Sequence, residues 1–337
     1  MNNFNFLRFI LAFIVLLGHL IIITNNTELS YFKGYFNTYI SVTGFFCISG
    51  YLIGKSFSET SSLKLYFTKR AARILPAYIF VVILSALLLS PLSTLSFSNY
   101  FTSIDLYKYL TANLLFLNFL HPDLPGIFTS PQLTSDINGA LWTIKVEVMF
   151  YLAIPLIIYF LSRKKNKFTF FIIIYLISIA YKNFFEFYST ENNNFLMYAR
   201  QLPGFMSYFI CGIYLNYYKN TFITHKTKLV LLALPVFVIE YYFNNEIFTP
   251  IALATIIFFI AFSFPSLNFF GRKHDISYGI YIYHCPIIKT ITYFGYFSQY
   301  NPYLVSLFTI VIILIVASLS WRFIEKPFLR LARNIQS

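Results

Sequence analysis

The sequence predicts an all-α, polytopic membrane protein of about ten transmembrane helices, and three observations predict it. Of its 337 residues, 58% are hydrophobic and 11% charged, where soluble domains carry about 45–50% and about 25%. Apolar runs of roughly 20 residues, long enough to cross about 30 Å of hydrocarbon, recur from one end of the chain to the other. Short basic clusters separate these runs. So few charged side chains cannot cover the two soluble cores that this length would build. Membrane strands would need alternating segments of about ten residues, so helices are the only spanning structure left.

Taken in order, the predicted spans are 5–24, 35–54, 73–93, 141–161, 168–187, 198–217, 228–243, 249–264, 276–294 and 303–322. The first follows a stretch with no basic residue before Arg8 and has no small-residue cleavage site, so it is expected to stay as a permanent span. The second carries Gly44-Phe45-Phe46-Cys47-Ile48-Ser49-Gly50-Tyr51, a pattern suited to close helix packing, with Ser49 a candidate lining group. The third is entered through Lys69-Arg70-Ala71-Ala72-Arg73, and the fourth opens on Leu141-Trp142-Thr143. Arg163-Lys164-Lys165-Asn166-Lys167 separates the fourth from the fifth. The ninth holds Ser277-Tyr278-Gly279-Ile280-Tyr281-Ile282-Tyr283-His284-Cys285-Pro286. Leu106 to Leu120 is apolar but too short to cross. Within the long connection 94–140 it is expected to re-enter the membrane or pack on its outer face.

With the N-terminus in the cytoplasm, the loops 55–72, 162–167, 218–227, 265–275 and 323–337 are cytoplasmic and each is basic. Of the 25 Lys and Arg residues, only Lys33, Lys108, Lys145, Lys182, Arg200 and Lys289 fall on or near the outer half. The positive-inside rule therefore favours ten spans with both termini cytoplasmic. The net charge of +13 is topological and gives no groove-tracking stripe for nucleic acid. Residues 1–337 are expected to form a single membrane domain, with no soluble domain at either end. Cys47, Cys211 and Cys285 lie in apolar segments and give no disulfide framework.

Ionisable groups inside spans are costly and point to function. His19 lies five residues from the outer end of the first span, roughly 8 Å deep. Glu147 lies six residues into the fourth from its outer start, about 9 Å deep. A carboxylate beside an imidazole would fix its tautomer and raise its basicity, as general-base catalysis requires. A buried pair tying two helices, or two unrelated side chains, would look the same in sequence. Arg70 and Arg73 share a helix face and stand near an expected helix N-terminus, which suits phosphate groups as well as simple topological anchoring. His284 either lines the same cavity or hydrogen-bonds a tyrosine. Pro286 frees a backbone carbonyl that the histidine could satisfy. Cys285 has no thiolate-stabilising neighbour in the sequence. His121, His225 and His274 show no clustered ligand partners, so no metal site is expected.

In this order the motifs resemble those of the membrane acyltransferase-3 family. The resemblance rests on Leu7-Arg8 followed by His19, Phe45-Phe46 with Ser49-Gly50-Tyr51-Leu52, and Arg70 to Arg73 running into Ile74-Leu75-Pro76-Ala77-Tyr78. It continues with Leu141-Trp142-Thr143, Glu147 and Phe150-Tyr151, then Ser277-Tyr278 with His284 and Pro286, and Glu325-Lys326-Pro327-Phe328. Thr143 stands where serine is commoner in the family, a mild departure. The resemblance implies an O-acyltransferase, expected to be an O-acetyltransferase of the bacterial cytoplasmic membrane. It would use cytoplasmic acetyl-CoA as co-substrate, with no permanently bound cofactor. The acceptor would be a hydroxyl of an extracytoplasmic or lipid-linked carbohydrate such as O-antigen, capsule or exopolysaccharide. The resemblance matches His19, Glu147, Arg70, Arg73, Trp142 and His284 to the family's motifs; with the residue reading beside it, catalysis is expected of His19 and Glu147, donor-phosphate binding of Lys69, Arg70 and Arg73, and cavity lining of Trp142, His284, Ser49 and Tyr281. Direct transfer and an acyl-histidine intermediate both remain open. The rival classes are a carrier or flippase for lipid-linked sugar, expected to show two corresponding halves, and a polysaccharide polymerase, expected to bear arginines in large outer loops.

Overall fold

In hydrocarbon every backbone N–H and C=O needs a partner within its own segment, so runs this apolar fold as helices. The computed structural model describes residues 2–60, 62–131, 133–190, 193–264, 267, 271 and 274–334. In chain order its helices are α1 Phe4–Thr24, α2 Thr27–Ser30, α3 Thr38–Ser58, α4 Leu63–Leu88, α5 Phe97–Thr102, α6 Ile104–Leu114, α7 Leu141–Arg163 and α8 Lys167–Ser189. They continue with α9 Asn193–Ala199, α10 Leu202–Tyr217, α11 Lys219–Tyr242, α12 Thr249–Ser263, α13 Ser277–Tyr293, α14 Tyr296–Gln299, α15 Pro302–Ser320 and α16 Lys326–Asn334. Among the described residues there is no strand, only an isolated bridge between Asp123 and Asp136.

All ten predicted spans fall on helices. Seven of these (α1, α3, α4, α7, α8, α11 and α15) are long and apolar enough to cross a membrane. The other three, α10, α12 and α13, have 16, 15 and 17 residues. At 1.5 Å per residue they rise about 23–26 Å. Three basic segments read as loops are largely helical instead. Lys64 to Ala72 lies inside α4, Lys219 to Thr227 opens α11, and Lys326 to Asn334 forms α16. Lys and Arg are good helix formers, so they extend a span beyond its apolar limit. Arg272 and Lys273, counted for orientation, and Glu191 lie outside the described residues. The 106–120 segment is the 11-residue helix α6 followed by turns. Its Leu106, Tyr109, Ala112 and Asn113 are buried, and Tyr78 of α4 donates to the Asn113 carbonyl at 2.8 Å.

The helices divide into two compact units interleaved along the chain. The first comprises 1–8, 39–66 and 146–270. Its core is aromatic. Phe150 and Phe209 stack at 4.0 Å, Phe46 meets Phe150 at 5.3 Å, and Phe4 packs on Tyr51 and Phe258. A Cβ at Gly50 would stand 2.0 Å from the Phe209 carbonyl oxygen, and one at Gly212 would stand 2.1 Å from that of Cys47. The second-span glycine therefore serves close packing, of α3 against α10.

The second unit comprises 9–38, 67–145 and 271–337. The connection 94–140 closes on itself, with Thr94 N–H donating to Gly126 O at 2.9 Å and Ile137 N–H to Pro122 O at 3.0 Å. Helix α13 is held from two sides. Gly279 lies against the α15 backbone at Ala317, and the Tyr278 hydroxyl donates to Ile74 O of α4 at 3.1 Å.

Candidate functional site: an imidazole pair anchored on helix α13

Within the second unit, α1 and α13 bring His19 and His284 together. Gly18 lets α1 approach its neighbouring segment, because a Cβ there would lie 2.5 Å from the Thr38 methyl and 2.7 Å from Phe36 O. His284 is fully buried and His19 partly exposed. His19 Nδ1 lies 2.7 Å from His284 Nε2. The rings are nearly parallel, at 10°, with centroids 4.9 Å apart. That separation equals the N···N distance plus about one ring radius on each side, so the imidazoles meet edge to edge in one plane. This arrangement satisfies a linear N–H···N bond to an in-plane lone pair.

The direction of that bond follows from the next contact. His284 Nδ1 lies 3.1 Å from the Ile280 carbonyl, one turn back on α13. A carbonyl has no proton to give, so Nδ1 of His284 is the N–H donor and its Nε2 carries the lone pair. In the neutral pair, His19 then donates from Nδ1, which leaves its own lone pair on Nε2. These tautomers are assigned from the hydrogen-bond network. His19 Nε2 has no hydrogen-bond partner among the described residues. In this tautomer that nitrogen can accept a proton.

Glu147, the partner expected for His19 from sequence, lies in the first unit, and each residue has a partner within its own unit. That of His19 is His284, while the Glu147 carboxylate accepts from the Tyr151 hydroxyl at 2.7 Å, four residues along α7. Depth along a span fixes one coordinate only; the azimuth and the neighbouring helix decide which side chains meet. Of the residues singled out from sequence, the second unit gathers His19, Lys69, Arg70, Arg73, Trp142, Tyr281 and His284. Ser49 and Glu147 lie in the first.

Sequence reasoning also misassigned the carbonyl freed by Pro286. A proline at 286 removes the bond to the carbonyl at 282. Asn138 satisfies it, donating Nδ2 to Ile282 O at 2.8 Å, and not His284. Helical side chains point towards the N-terminus, which carries the His284 ring to 280. Three further contacts lock α13. Tyr281 hydroxyl and Thr143 hydroxyl lie 2.6 Å apart, and the Tyr281 ring sets its edge on His284 at 5.9 Å. Tyr283 donates to Ser320 at 3.2 Å, and Ser320 to the buried Glu325 of the motif 325–328 at 3.3 Å, where residues 321–325 form a π-turn. Lys289, 2% exposed in its side chain, is bound by Thr134 and by both the carbonyl and carboxylate of Asp136. Asn138 and Asp136 were missed because they sit in an irregular connection with no periodicity. Pro286 was the available signal, since its orphaned carbonyl demands a donor.

Arg73 donates from Nη2 to the Asp275 carboxylate at 2.8 Å, with both side chains mostly buried. Asp275 in turn accepts from the Ser277 hydroxyl at 2.6 Å and backbone N–H at 3.3 Å. Arg73 thus ties α4 to the start of the helix that bears His284. Because α4 begins at Leu63, Arg70 stands about 10 Å beyond its first residue. The N-terminal turn of the helix is 63–66, where Ser62 accepts from the Leu65 and Tyr66 N–H groups, and it does not reach the arginines.

Cys285 Sγ sits 3.3 Å from His284 Nε2 and 3.9 Å from His19 Nδ1. Among the described residues these three form the only group converging like metal ligands, within 4.8 Å of one another. A tetrahedral zinc ion at 2.0–2.1 Å from each imidazole would hold the two nitrogens about 3.3 Å apart. The observed 2.7 Å is a hydrogen bond, and the proton on it occupies a position a metal would need. As arranged, the trio fits a hydrogen-bonded dyad better than a metal cage.

The fold and site define a helical protein with seven helices long and apolar enough to cross a membrane and one imidazole hydrogen-bonded to a second. The chain belongs to the acyltransferase-3 family, whose acyltransferase domain it matches over residues 1–322. It is similar to an O-acetyl transferase of Shigella phage Sf6, 26% identical over 338 residues, covering 97% of this chain and 96% of that protein. It is similar also to nodulation protein 10 of Rhizobium leguminosarum bv. viciae, 26% identical over 308 residues, covering 86% and 82%. No solved structure matches.

Proposed function

We propose that this chain is an O-acetyltransferase that moves acetyl from cytoplasmic acetyl-CoA to a hydroxyl of an extracytoplasmic or lipid-linked carbohydrate, in the bacterial cytoplasmic membrane. The observation that carries this reading is the chain Ile280 O, His284, His19, which leaves the lone pair on His19 Nε2. In the proposed reaction that nitrogen takes the proton of the sugar hydroxyl as its oxygen attacks the thioester carbonyl. The carbon–sulfur bond breaks, the ester forms, and the proton passes to the departing CoA thiolate. His284 holds the imidazole in the reactive tautomer, the part a carboxylate plays in a triad. Lys69, Arg70 and Arg73 are proposed to meet the CoA phosphates from the cytoplasm, with Asp275 holding the Arg73 side chain. Trp142, partly exposed at the start of α7, is proposed to face the sugar. Ten spans, two cytoplasmic termini and one membrane domain over 1–337 belong to the same proposal. The similarity to a phage O-acetyl transferase over nearly the whole chain supports the choice of acetyl.

The test is the acetyl content of the host's surface polysaccharide with wild type, His19→Ala and Arg73→Ala at equal membrane expression. Acetyl with wild type alone is expected. Loss with His19→Ala alone would reduce the arginine to an anchor. Equal acetyl in all three would remove the transferase reading and put a lipid-linked-sugar carrier in its place.

A further inference from the structure

The first unit contains a polar cavity that the proposed chemistry does not use. Its volume is about 180 Å³, and Tyr39, Lys182, Glu186, Arg200, Phe205 and Glu246 line it. All six come from one end of the unit's helices: the first turn of α3, the last turns of α8, the residue after α9, the first turn of α10 and the connection between α11 and α12. The opposite ends carry Lys55, Lys64, Arg163, Lys164, Lys165, Lys167, Lys219, Lys226 and Lys228. By the positive-inside rule the cavity end faces away from the cytoplasm.

Inside it, Lys182 has a side chain only 3% exposed and is ion-paired to Glu246 and, at 3.2 Å, to Glu186. The Tyr39 and Tyr208 hydroxyls both donate to Glu246 Oε2, at 2.8 and 2.9 Å. The Lys182 ammonium also stands 5.0 Å from the centre of the Tyr39 ring, and that ring lies 6.1 Å from Phe205. Burying such a network costs desolvation, and apolar residues of similar volume would often be at least as stable. Its retention around open space calls for a ligand.

The chemistry of the walls specifies that ligand. Lys182 and Arg200 balance Glu186 and Glu246, so the lining is neutral overall and selects neither an anion nor a cation. Carboxylates and an ammonium side by side offer alternating acceptors and donors, which match vicinal hydroxyls. Tyr39 and Phe205 offer apolar ring surface for the C–H face of a sugar. The volume lies below the roughly 300 Å³ at which drug-sized sites begin, so it fits one ring. We propose that this cavity is a binding subsite for one uncharged pyranose of the carbohydrate acceptor. The assignment rests on the transferase reading above.

The test uses the full chain in detergent, radiolabelled acetyl-CoA, and the de-O-acetylated repeat unit released from the host's own surface polysaccharide. Sugar-dependent transfer is measured beside release of CoA without sugar. Glu186→Gln, Glu246→Gln and Tyr39→Phe are expected to raise the KM for the repeat unit, about tenfold for each carboxylate, since a hydrogen bond to a charged group is lost. kcat, the KM for acetyl-CoA and sugar-independent CoA release are expected to stay within about twofold. Unchanged sugar KM in all three variants would overturn the subsite while leaving the transferase standing. So would loss of CoA release together with thermal stability, which would make the network structural. Tyr39→Phe and the half-exposed Glu186→Gln guard against a folding defect from Glu246→Gln alone. Failure of wild type to label the repeat unit would instead overturn the transferase reading, and the subsite with it.

Discussion

Replacing His284 separates a tautomer-fixing role from every other role. His284→Leu removes the acceptor for His19 Nδ1–H and leaves a buried apolar side chain in its place. A net hydrogen bond of about 1 kcal/mol then no longer favours the tautomer with its lone pair on Nε2, which corresponds to roughly a fivefold to tenfold loss of reactive form. Loss of ring orientation adds to this, and the ceiling is the 10²–10⁴ that general-base catalysis contributes as a whole. His284→Leu is therefore expected to lower kcat by roughly 10- to 100-fold, and His19→Ala by roughly 10²–10⁴. His284→Gln can offer its amide oxygen close to where Nε2 stands in the wild type, so it is expected to recover activity to within about fivefold of wild type. The double variant His19→Ala/His284→Leu is expected to be no slower than His19→Ala, because His284 acts only through His19. The assay is CoA thiol release from acetyl-CoA in the presence of the polysaccharide repeat unit. If His284→Gln is as inactive as His284→Leu, the histidine does more than accept a hydrogen bond. Wild-type rates in both would show that the dyad takes no part.

Three further outcomes are expected. Asn138→Leu strands the Ile282 carbonyl freed by Pro286 and should destabilise the chain by about 1–3 kcal/mol, read as a lower melting temperature in detergent; an unchanged melt would remove Asn138 from the support of α13. Asp275→Asn should lower the melting temperature by weakening the pair with Arg73, whereas Arg70→Ala should raise the KM for acetyl-CoA at unchanged melting temperature; an unchanged melt with Asp275→Asn would remove the pair from the support of α13. Cys285→Ala should keep activity within about threefold, and EDTA should leave wild type unaffected, because the trio with His19 and His284 is read as a dyad with a neighbouring thiol. Abolition of activity by Cys285→Ala would assign the sulfur a direct part, and abolition by EDTA would make the trio a metal site.

The helices were legible because hydrophobicity over 20 residues is a coarse and redundant signal. The ends of α4 and α11 were not, since Lys64 to Ala72 and Lys219 to Thr227 are polar by composition yet good helix formers. His19 and His284 could each be singled out by the cost of an imidazole in a span. Their pairing could not, because no rule of spacing says that α1 and α13 are neighbours, and a carboxylate at the depth of His19 looked the better match. Asp275, Asn138 and Asp136 stayed hidden for a different reason. They act from connections, where a polar residue is ordinary, and only the packed structure shows that each supports α13. The cavity around Lys182 was half visible, since Lys182 already stood out as a cation on the outer half.

The central claim is acyl transfer from a cytoplasmic donor to a carbohydrate beyond the membrane, dependent on His19. It is tested most directly in inside-out vesicles loaded with the de-O-acetylated repeat unit and given radiolabelled acetyl-CoA on the outside alone. The account predicts labelled sugar in the lumen with wild type and background label with His19→Ala at equal expression. Equal label in the two, or label only when acetyl-CoA is placed in the lumen, would contradict it.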